Sequence, residues 1–425
     1  MQSLRLLLEN KYIKNIIALS SGTLIAQLIV ISITPIITRI YSPEQLGAYY
    51  VVLSIVTMFS AVVNGRYDMS IVTAENDKEA ESVAVASLIF GFISTIVIGI
   101  GLFLFIQVNN TVFKGVENLV YMSLPILFIN GITNVLTSYN NRYRHYKIMA
   151  SVTVLRSTIK ALGQVSLGVL KLGSVGLLLS QLLSSLIGVR KQATYVPKIF
   201  DIFRRIKIMD IYNTFKKYRK QPLLSAPAFL MNSLSFSLMT LFINGLYSIE
   251  EAGYYSLSYS MLVLPITLIS MNVGRVYFSQ ASEAWRLEGN FKRLYKKTAV
   301  GLLMLSIPIF MLLMIFAEKL FEFVFGTGWD RAGLFVAILS PMFAIRLVAS
   351  CLTLSFVVAN KQKIELALQA IFLVETIIIY YLVKIMNLSI EQFLLIYSGV
   401  FLITYSIWII VMLQISKGKN ISKEK

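Results

Sequence analysis

Eight ionisable side chains lie within or at the ends of long apolar segments. An isolated charge is costly in such a segment, so each is a candidate for function. The cations are Arg39, Arg66, Arg156, Lys160, Arg275 and Arg346, and the acids are Asp68 and Glu375. A permanent positive charge suits an anionic substrate, and the arginine fork pairs bidentately with phosphate oxygens. The cations therefore predict contact with a diphosphate or another anion, and the two acids are candidates for ion coupling.

Arg156 and Lys160 are grouped by their spacing. Residues four apart share one face of a helix, and this pair lies well inside an apolar segment. Two like charges on one face require water, an anion or acidic partners nearby. Arg346 and Glu375 lie near the middle of two other segments, where a structural ion pair is the alternative to a functional role.

The remaining three cations lie close to segment ends, where long basic side chains also serve as interfacial anchors. Arg66 and Arg275 fall near predicted cytoplasmic ends, and Arg39 falls near an outer end. Arg66 and Arg275 are the most interesting pair, because an internal sequence repeat places them in equivalent positions. For all three, substrate contact and simple anchoring are both open. The same choice applies to Trp329 and Tyr255, which are placed to stack on sugars or to anchor the outer interface.

The sequence lacks the residues that several kinds of chemistry require. There is no GxxxxGK[ST] loop for ATP hydrolysis. The single histidine, His145, and the single cysteine, Cys351, cannot form a His/Cys metal cluster. No long outer loop carries paired carboxylates, as a membrane-embedded polymerase would need. We therefore expect no metal, no cofactor and no enzymatic activity.

The elements that carry these charges are predicted to be transmembrane helices. Hydrophobic residues make up 56% of the chain and charged residues 14%, against about 25% charged in soluble domains. Apolar stretches of about 20 residues match the bilayer core, and their continuous character indicates helices rather than barrel strands. Twelve spans are predicted, near 16–40, 48–70, 82–106, 119–139, 148–170, 172–190, 222–246, 257–278, 298–317, 333–358, 366–386 and 392–414.

The charge distribution predicts the orientation and excludes nucleic acid as the reason for the net charge of +18. With the N-terminus inside, 28 of the 39 Lys and Arg residues fall in inner segments and 5 in outer loops. Cytoplasmic loops collect such an excess, so both termini are predicted to be cytoplasmic. The acidic inner loop 73–81, with Glu75, Asp77, Glu79 and Glu81, is the exception.

The longest connection, from Arg190 to Gln221, is strongly basic. Its charges are Arg204, Arg205, Lys207, Lys216, Lys217, Arg219 and Lys220. This pattern predicts either an amphipathic segment on the anionic inner leaflet or a solvated linker. The linker, 191–221, separates two predicted six-helix bundles, 1–190 and 222–425.

An internal repeat supports that division. Residues 40–50 and 246–256 are identical at five of eleven positions, including Tyr-Ser, Glu and Gly. Asn64-Gly65-Arg66 is echoed by 272–275, and Ser123-Leu124-Pro125 by 339–341. Because each half has six helices, the halves enter the membrane in the same orientation. The prediction is an all-α polytopic membrane protein with a pseudo-twofold axis along the membrane normal and alternating access between the bundles.

Three stretches also resemble a known family: 34–47, 325–333 and 360–363. The chain resembles the polysaccharide transporters, the O-antigen and capsule repeat-unit flippases. Multidrug extruders and the lipid II flippase belong to the same superfamily. The resemblance implies a bacterial inner-membrane flippase for undecaprenyl-diphosphate-linked oligosaccharides, driven by an ion gradient. A polysaccharide polymerase and a chain-length regulator would be its partners.

Three alternatives remain open at this point. A drug or metabolite exporter fits less well, because the candidate cavity carries more cations than carboxylates. A polymerase or ligase lacks its outer acid/base domain, and a lipid II flippase would be expected to have fourteen spans by resemblance.

Overall fold

The computed structural model describes residues 11–108, 111–194 and 206–418, and these are helical with no strand among them. A 3₁₀ turn (Leu119–Met122) precedes α5, and a π-helical turn (Gln221–Ser225) precedes α9. The helices are α1 (Lys11–Ile40), α2 (Pro43–Ser60), α3 (Tyr67–Thr73), α4 (Asp77–Val108), α5 (Ser123–Arg142), α6 (Tyr146–Val169), α7 (Gly173–Ala193), α8 (Ile208–Lys217), α9 (Ala226–Leu246), α10 (Ile249–Glu288), α11 (Lys292–Phe325), α12 (Asp330–Leu352), α13 (Ser355–Val358), α14 (Gln362–Met386) and α15 (Ile390–Ser416).

The all-helical polytopic fold is confirmed. In the described part of the chain, ten helical segments are long and apolar enough to cross a membrane. The other two predicted spans, 48–70 and 148–170, overlap α2 and α6, which are helical but do not reach the same apolarity. Both carry polar residues, and α6 contains Arg156 and Lys160. These charges lower the mean hydropathy of α6. The span predicted at 48–70 is wrong as a continuous helix, because the chain turns at residues 61–66.

Contacts within the chain divide it into two compact units, Met1–Gly245 and Leu246–Lys425. In the first unit, α5 packs against α2, α4 and α7. In the second unit, α12 packs against α10, α11 and α15. Each is the fourth spanning helix of its half, and each contacts the second, third and sixth. The internal repeat of the sequence thus corresponds to a repeated packing arrangement.

The repeated Tyr-Ser pair has the same local structure in both places. Ser42 and Ser248 are N-caps, whose hydroxyls accept from the backbone N–H three residues on. Such a cap satisfies a donor that the helix leaves open. The preceding tyrosines also match: Tyr41 donates to the Gln164 carbonyl at 2.7 Å and Tyr247 to the Leu388 carbonyl at 2.9 Å. In each unit this bond ties the start of the second spanning helix of the half to the C-terminal part of the fifth.

Ion pairs explain the acidic loop that departs from the positive-inside pattern. Lys217 contacts Glu75 at 2.7 Å and Glu79 at 2.6 Å, and Arg142 contacts Asp77 at 3.3 Å. The two glutamates raise the pKa of the Lys217 ammonium above its usual value, so its charge persists at physiological pH. The acids therefore neutralise basic residues of the same predicted side of the membrane.

Part of the basic connection is helical, and whether it lies on the membrane surface stays a prediction. Helix α8 spans Ile208–Lys217 and packs against α4. Arg204 and Arg205 lie outside the described residues. The predicted domain limits at residues 190 and 222 stay a prediction.

Candidate functional site

Arg156 and Lys160 lie on α6, which packs against α1 and α7 in the first unit. The Arg156 guanidinium donates to the Ser185 hydroxyl of α7 at 3.0 Å. Its aliphatic stem passes over Gly188, where an added Cβ would lie only 2.6 Å from Arg156 Cδ. The absence of a side chain at Gly188 therefore makes the space that the arginine occupies.

Lys160 lies one helical turn further along α6. Its Nζ is 5.6 Å from the ring centroid of Tyr49, a buried residue of α2. An aromatic face attracts a cation but does not neutralise it. Within residues 11–108, 111–194 and 206–418, no ion pair joins Arg156 or Lys160 to a carboxylate.

The two charges repel each other in this position. Like charges four residues apart on one helix face are destabilising. A bound anion would turn this cost into attraction. Gln181, four residues before Ser185 on α7, adds a polar group whose buried Oε1 has no hydrogen-bond partner among the described residues. Together, the two cations and the neutral polar groups can bind an anion.

Arg66 occupies a strained position between α2 and α3. It adopts φ 63°, in the left-handed region, and its guanidinium stacks on the Phe229 ring of α9 at 3.7 Å. In the described structure, Arg66 Nε and Asp68 Oδ1 are buried without hydrogen-bond partners. Asp68 is 4% exposed. Arg66 and Asp68 therefore each retain one polar atom that can form a further hydrogen bond.

Arg39 and Arg275 are both exposed, unlike Arg66. Arg39 donates to the Pro35 carbonyl of its own helix at 2.8 Å. Arg275 lies within the continuous helix α10, whereas the chain turns at residues 61–66. The predicted equivalence of Arg66 and Arg275 is therefore wrong at the level of local structure. The positive φ at Gly65 and Arg66 interrupts the helix in the first unit only.

In the second unit, Arg346 and Glu375 take different partners. Arg346 donates to the Tyr259 hydroxyl at 3.0 Å and lies 5.1 Å from the Phe343 ring centroid. Glu375 accepts from Thr404 at 2.6 Å, and its Oε2 is buried with no hydrogen-bond partner in the described residues. The ion pair considered for these two residues is absent from the described structure, because each forms its hydrogen bond with a neutral hydroxyl.

Sequence reasoning missed Ser185, Gly188 and Tyr49 as neighbours of the α6 cations. The usable signal was the series of small residues on α7, including Ser180, Ser184, Ser185 and Gly188, because small residues let membrane helices approach closely. Sugar stacking by outer aromatics is wrong for Trp329 and Tyr255. Their exposed fractions are 2% and 1%, so neither presents a ring at the surface.

The sequence matches the family described as "Polysaccharide biosynthesis protein" over residues 16–333, about three quarters of the chain. The chain belongs to this family. Among curated proteins, no sequence matches it.

Several solved structures have the same fold as this chain. One is an inward-facing multidrug resistance transporter of the MATE family, in the MOP superfamily. It has 16% identity and a TM-score of 0.71, with 91% of this chain and 93% of that chain covered. The lipid II flippase MurJ has 12% identity and a TM-score of 0.72, with 94% and 90% covered. A MOP superfamily transporter from Pyrococcus furiosus has 15% identity and a TM-score of 0.63, with 95% and 96% covered. At these identities the likeness establishes the fold.

Proposed function

We propose that the protein is a flippase for undecaprenyl-diphosphate-linked oligosaccharide repeat units. It moves them from the inner to the outer leaflet of the bacterial cytoplasmic membrane for O-antigen or capsular polysaccharide synthesis. The observation that carries the proposal is the pair Arg156 and Lys160, held one turn apart inside a helical bundle with no carboxylate partner among the described residues. The protein acts as a transporter rather than an enzyme, and a polymerase and a chain-length regulator act after it.

The chemistry of the substrate matches this pair. A diphosphate head group must cross hydrocarbon, where an unpaired charge is very costly. Two cations among polar side chains replace its hydration, while the lipid tail remains in the bilayer. Family membership supports a polysaccharide precursor, and the MOP fold supports transport by alternating access. Arg66, Arg275, Arg39 and Arg346 are the further candidates for contact with the head group.

Glu375 and Asp68 are both candidates for ion coupling, since each has a carboxylate oxygen that is buried without a hydrogen-bond partner in the described residues. A carboxylate with one buried, unpaired oxygen holds either a proton or a cation. We expect Glu375→Gln to abolish the dependence of transport on an imposed ion gradient, because the amide takes up no proton and its neutral oxygen binds a cation more weakly than a carboxylate does. The measurement is flipping in proteoliposomes with and without a gradient.

The control for this variant is Glu322→Gln, which changes an exposed carboxylate of α11. It should keep the gradient dependence of the wild type. Unchanged gradient dependence in Glu375→Gln would remove Glu375 from coupling.

The sidedness of the lipid-linked oligosaccharide tests the proposed function in cells that lack the gene. Complete repeat units trapped on the inner leaflet, with surface polymer lost and restored by the wild-type gene, support the flippase. Single units that reach the outer face but stay unpolymerised contradict it in favour of a polymerase. Normal surface polysaccharide contradicts it in favour of an exporter.

A further inference from the structure

We propose that the outward face of α8 docks on the anionic lipid surface of the membrane. Three apolar side chains on this face are largely uncovered: Ile208 is 86% exposed, Met209 64% and Tyr212 61%. Ile208 and Tyr212 are four residues apart, so they share one face with Met209 at its edge. These side chains would be hydrated unless something apolar covers them, at a cost that rises with their exposed area.

The opposite face of α8 is already fixed to the first unit. Lys217 pairs with Glu75 and Glu79, the Tyr218 hydroxyl donates to Glu79 at 3.0 Å, and Asp210 lies 3.6 Å from Lys78. These contacts hold the helix against the first turns of α4. Their geometry determines which side of α8 faces outward.

Aromatic contacts place α8 beside α4 rather than beyond its end. The Phe215 ring packs on Tyr67 at 5.2 Å, and Tyr67 packs on Phe90 at 5.5 Å. Phe90 lies 13 residues into α4, about 20 Å along the helix axis. A helix in this position lies alongside the membrane-spanning bundle.

The connection to the next span fixes the depth of α8. Only residues 218–220 separate it from the candidate span Gln221–Leu246, so the two ends are about 14 Å apart at most. Leu223 and Leu224, which begin that span, are also largely exposed. The apolar face of α8 therefore lies at the level of the lipid head groups, close to a lipid-facing segment.

The charges around this face specify the lipid. Lys207, Lys216, Arg219 and Lys220 are all exposed. Asp210, the acid of α8, already lies against Lys78. A helix with exposed apolar residues flanked by exposed cations suits anionic head groups rather than a zwitterionic surface. This inference concerns the linker and does not depend on the transported substrate.

A fluorophore at position 209 tests the proposal in the full-length protein. Met209→Cys is labelled with an environment-sensitive dye, since the native Cys351 is buried, and unlabelled wild type reports any background. The protein is placed in nanodiscs of phosphatidylcholine alone or with added phosphatidylglycerol. We expect a blue shift and at least about twofold less quenching by acrylamide, a neutral quencher, in the anionic discs.

Charge neutralisation supplies the matched control. In the labelled background, Lys216→Gln, Arg219→Gln and Lys220→Gln together should remove the effect of phosphatidylglycerol. The equivalent triple change Arg293→Gln, Lys296→Gln and Lys297→Gln at the start of α11, also exposed, should preserve it. Equal quenching in the two lipid mixtures, or protection that survives the α8 changes, would overturn the proposal.

Discussion

Replacing Arg156 with alanine is expected to lower the rate of oligosaccharide flipping by about 10- to 150-fold. The variant loses a charge-assisted bond to the head group, which contributes about 1.5 to 3 kcal/mol, and each 1.4 kcal/mol is about tenfold. The hydrogen bond to Ser185 is also lost. The measurement is transport of lipid-linked oligosaccharide in proteoliposomes at matched protein amounts.

The outcome with Arg156→Lys separates charge from geometry. Lysine keeps the charge but lacks the planar fork, so this variant should be impaired less than the alanine variant. Arg190→Ala, at the exposed end of α7, is the matched control and should transport normally. Normal transport by Arg156→Ala would exclude Arg156 from the transport mechanism and weaken the proposed site as a whole.

Gly188→Ala is expected to reduce transport at least about tenfold although no charge changes. The new Cβ would lie 2.6 Å from Arg156 Cδ and 2.8 Å from Cγ. Contacts this short force the arginine stem to move, and a displacement of about 1 Å at a binding site can cost about 100-fold in rate. The same transport assay measures the effect, with thermal unfolding as a check on stability.

A glycine in open space provides the comparison for Gly188. An added Cβ at Gly101 in α4 meets nothing within 4 Å. Gly101→Ala should therefore leave transport unchanged, and helix propensity alone favours it by about 1 kcal/mol. If the two alanine variants behave alike, the space at Gly188 does not position Arg156.

The double variant shows whether Gly188 acts through Arg156. Residues in contact are expected to show non-additive effects. Adding Gly188→Ala to Arg156→Ala should therefore cause no further loss of transport. An additional loss would mean that Gly188 has another role, such as close packing of α6 on α7.

The helical fold and its duplication were predictable from local patterns. Apolar stretches of bilayer length admit few structures other than helices. The repeated Tyr-Ser pair could be recognised in the sequence. The capping role of its serine is equally local, because an N-cap involves residues only three positions apart in the chain. The candidate cations could also be identified from the sequence, because each is a charge among apolar neighbours in the chain.

The neighbours of those cations required the tertiary structure. Arg156 meets Ser185 and Gly188, about 30 positions later in the chain, and Lys160 meets Tyr49 from another helix. The repeat also suggested that Arg66 and Arg275 were equivalent, but backbone conformation differs at the two places. Side-chain environments of this kind arise from packing between helices, which periodicity within one helix does not encode.

The sequence by itself therefore determined the class of protein, the duplication and the identity of the charged residues, because hydrophobicity, capping and charge act over a few neighbouring positions. Only the tertiary structure decided which charges are paired. Glu75 and Glu79 are neutralised by Lys217, whereas Arg156 and Lys160 have no carboxylate partner within the described residues. The reason is physical: whether a charge is neutralised depends on groups within about 4 Å in space, and helix packing sets those distances.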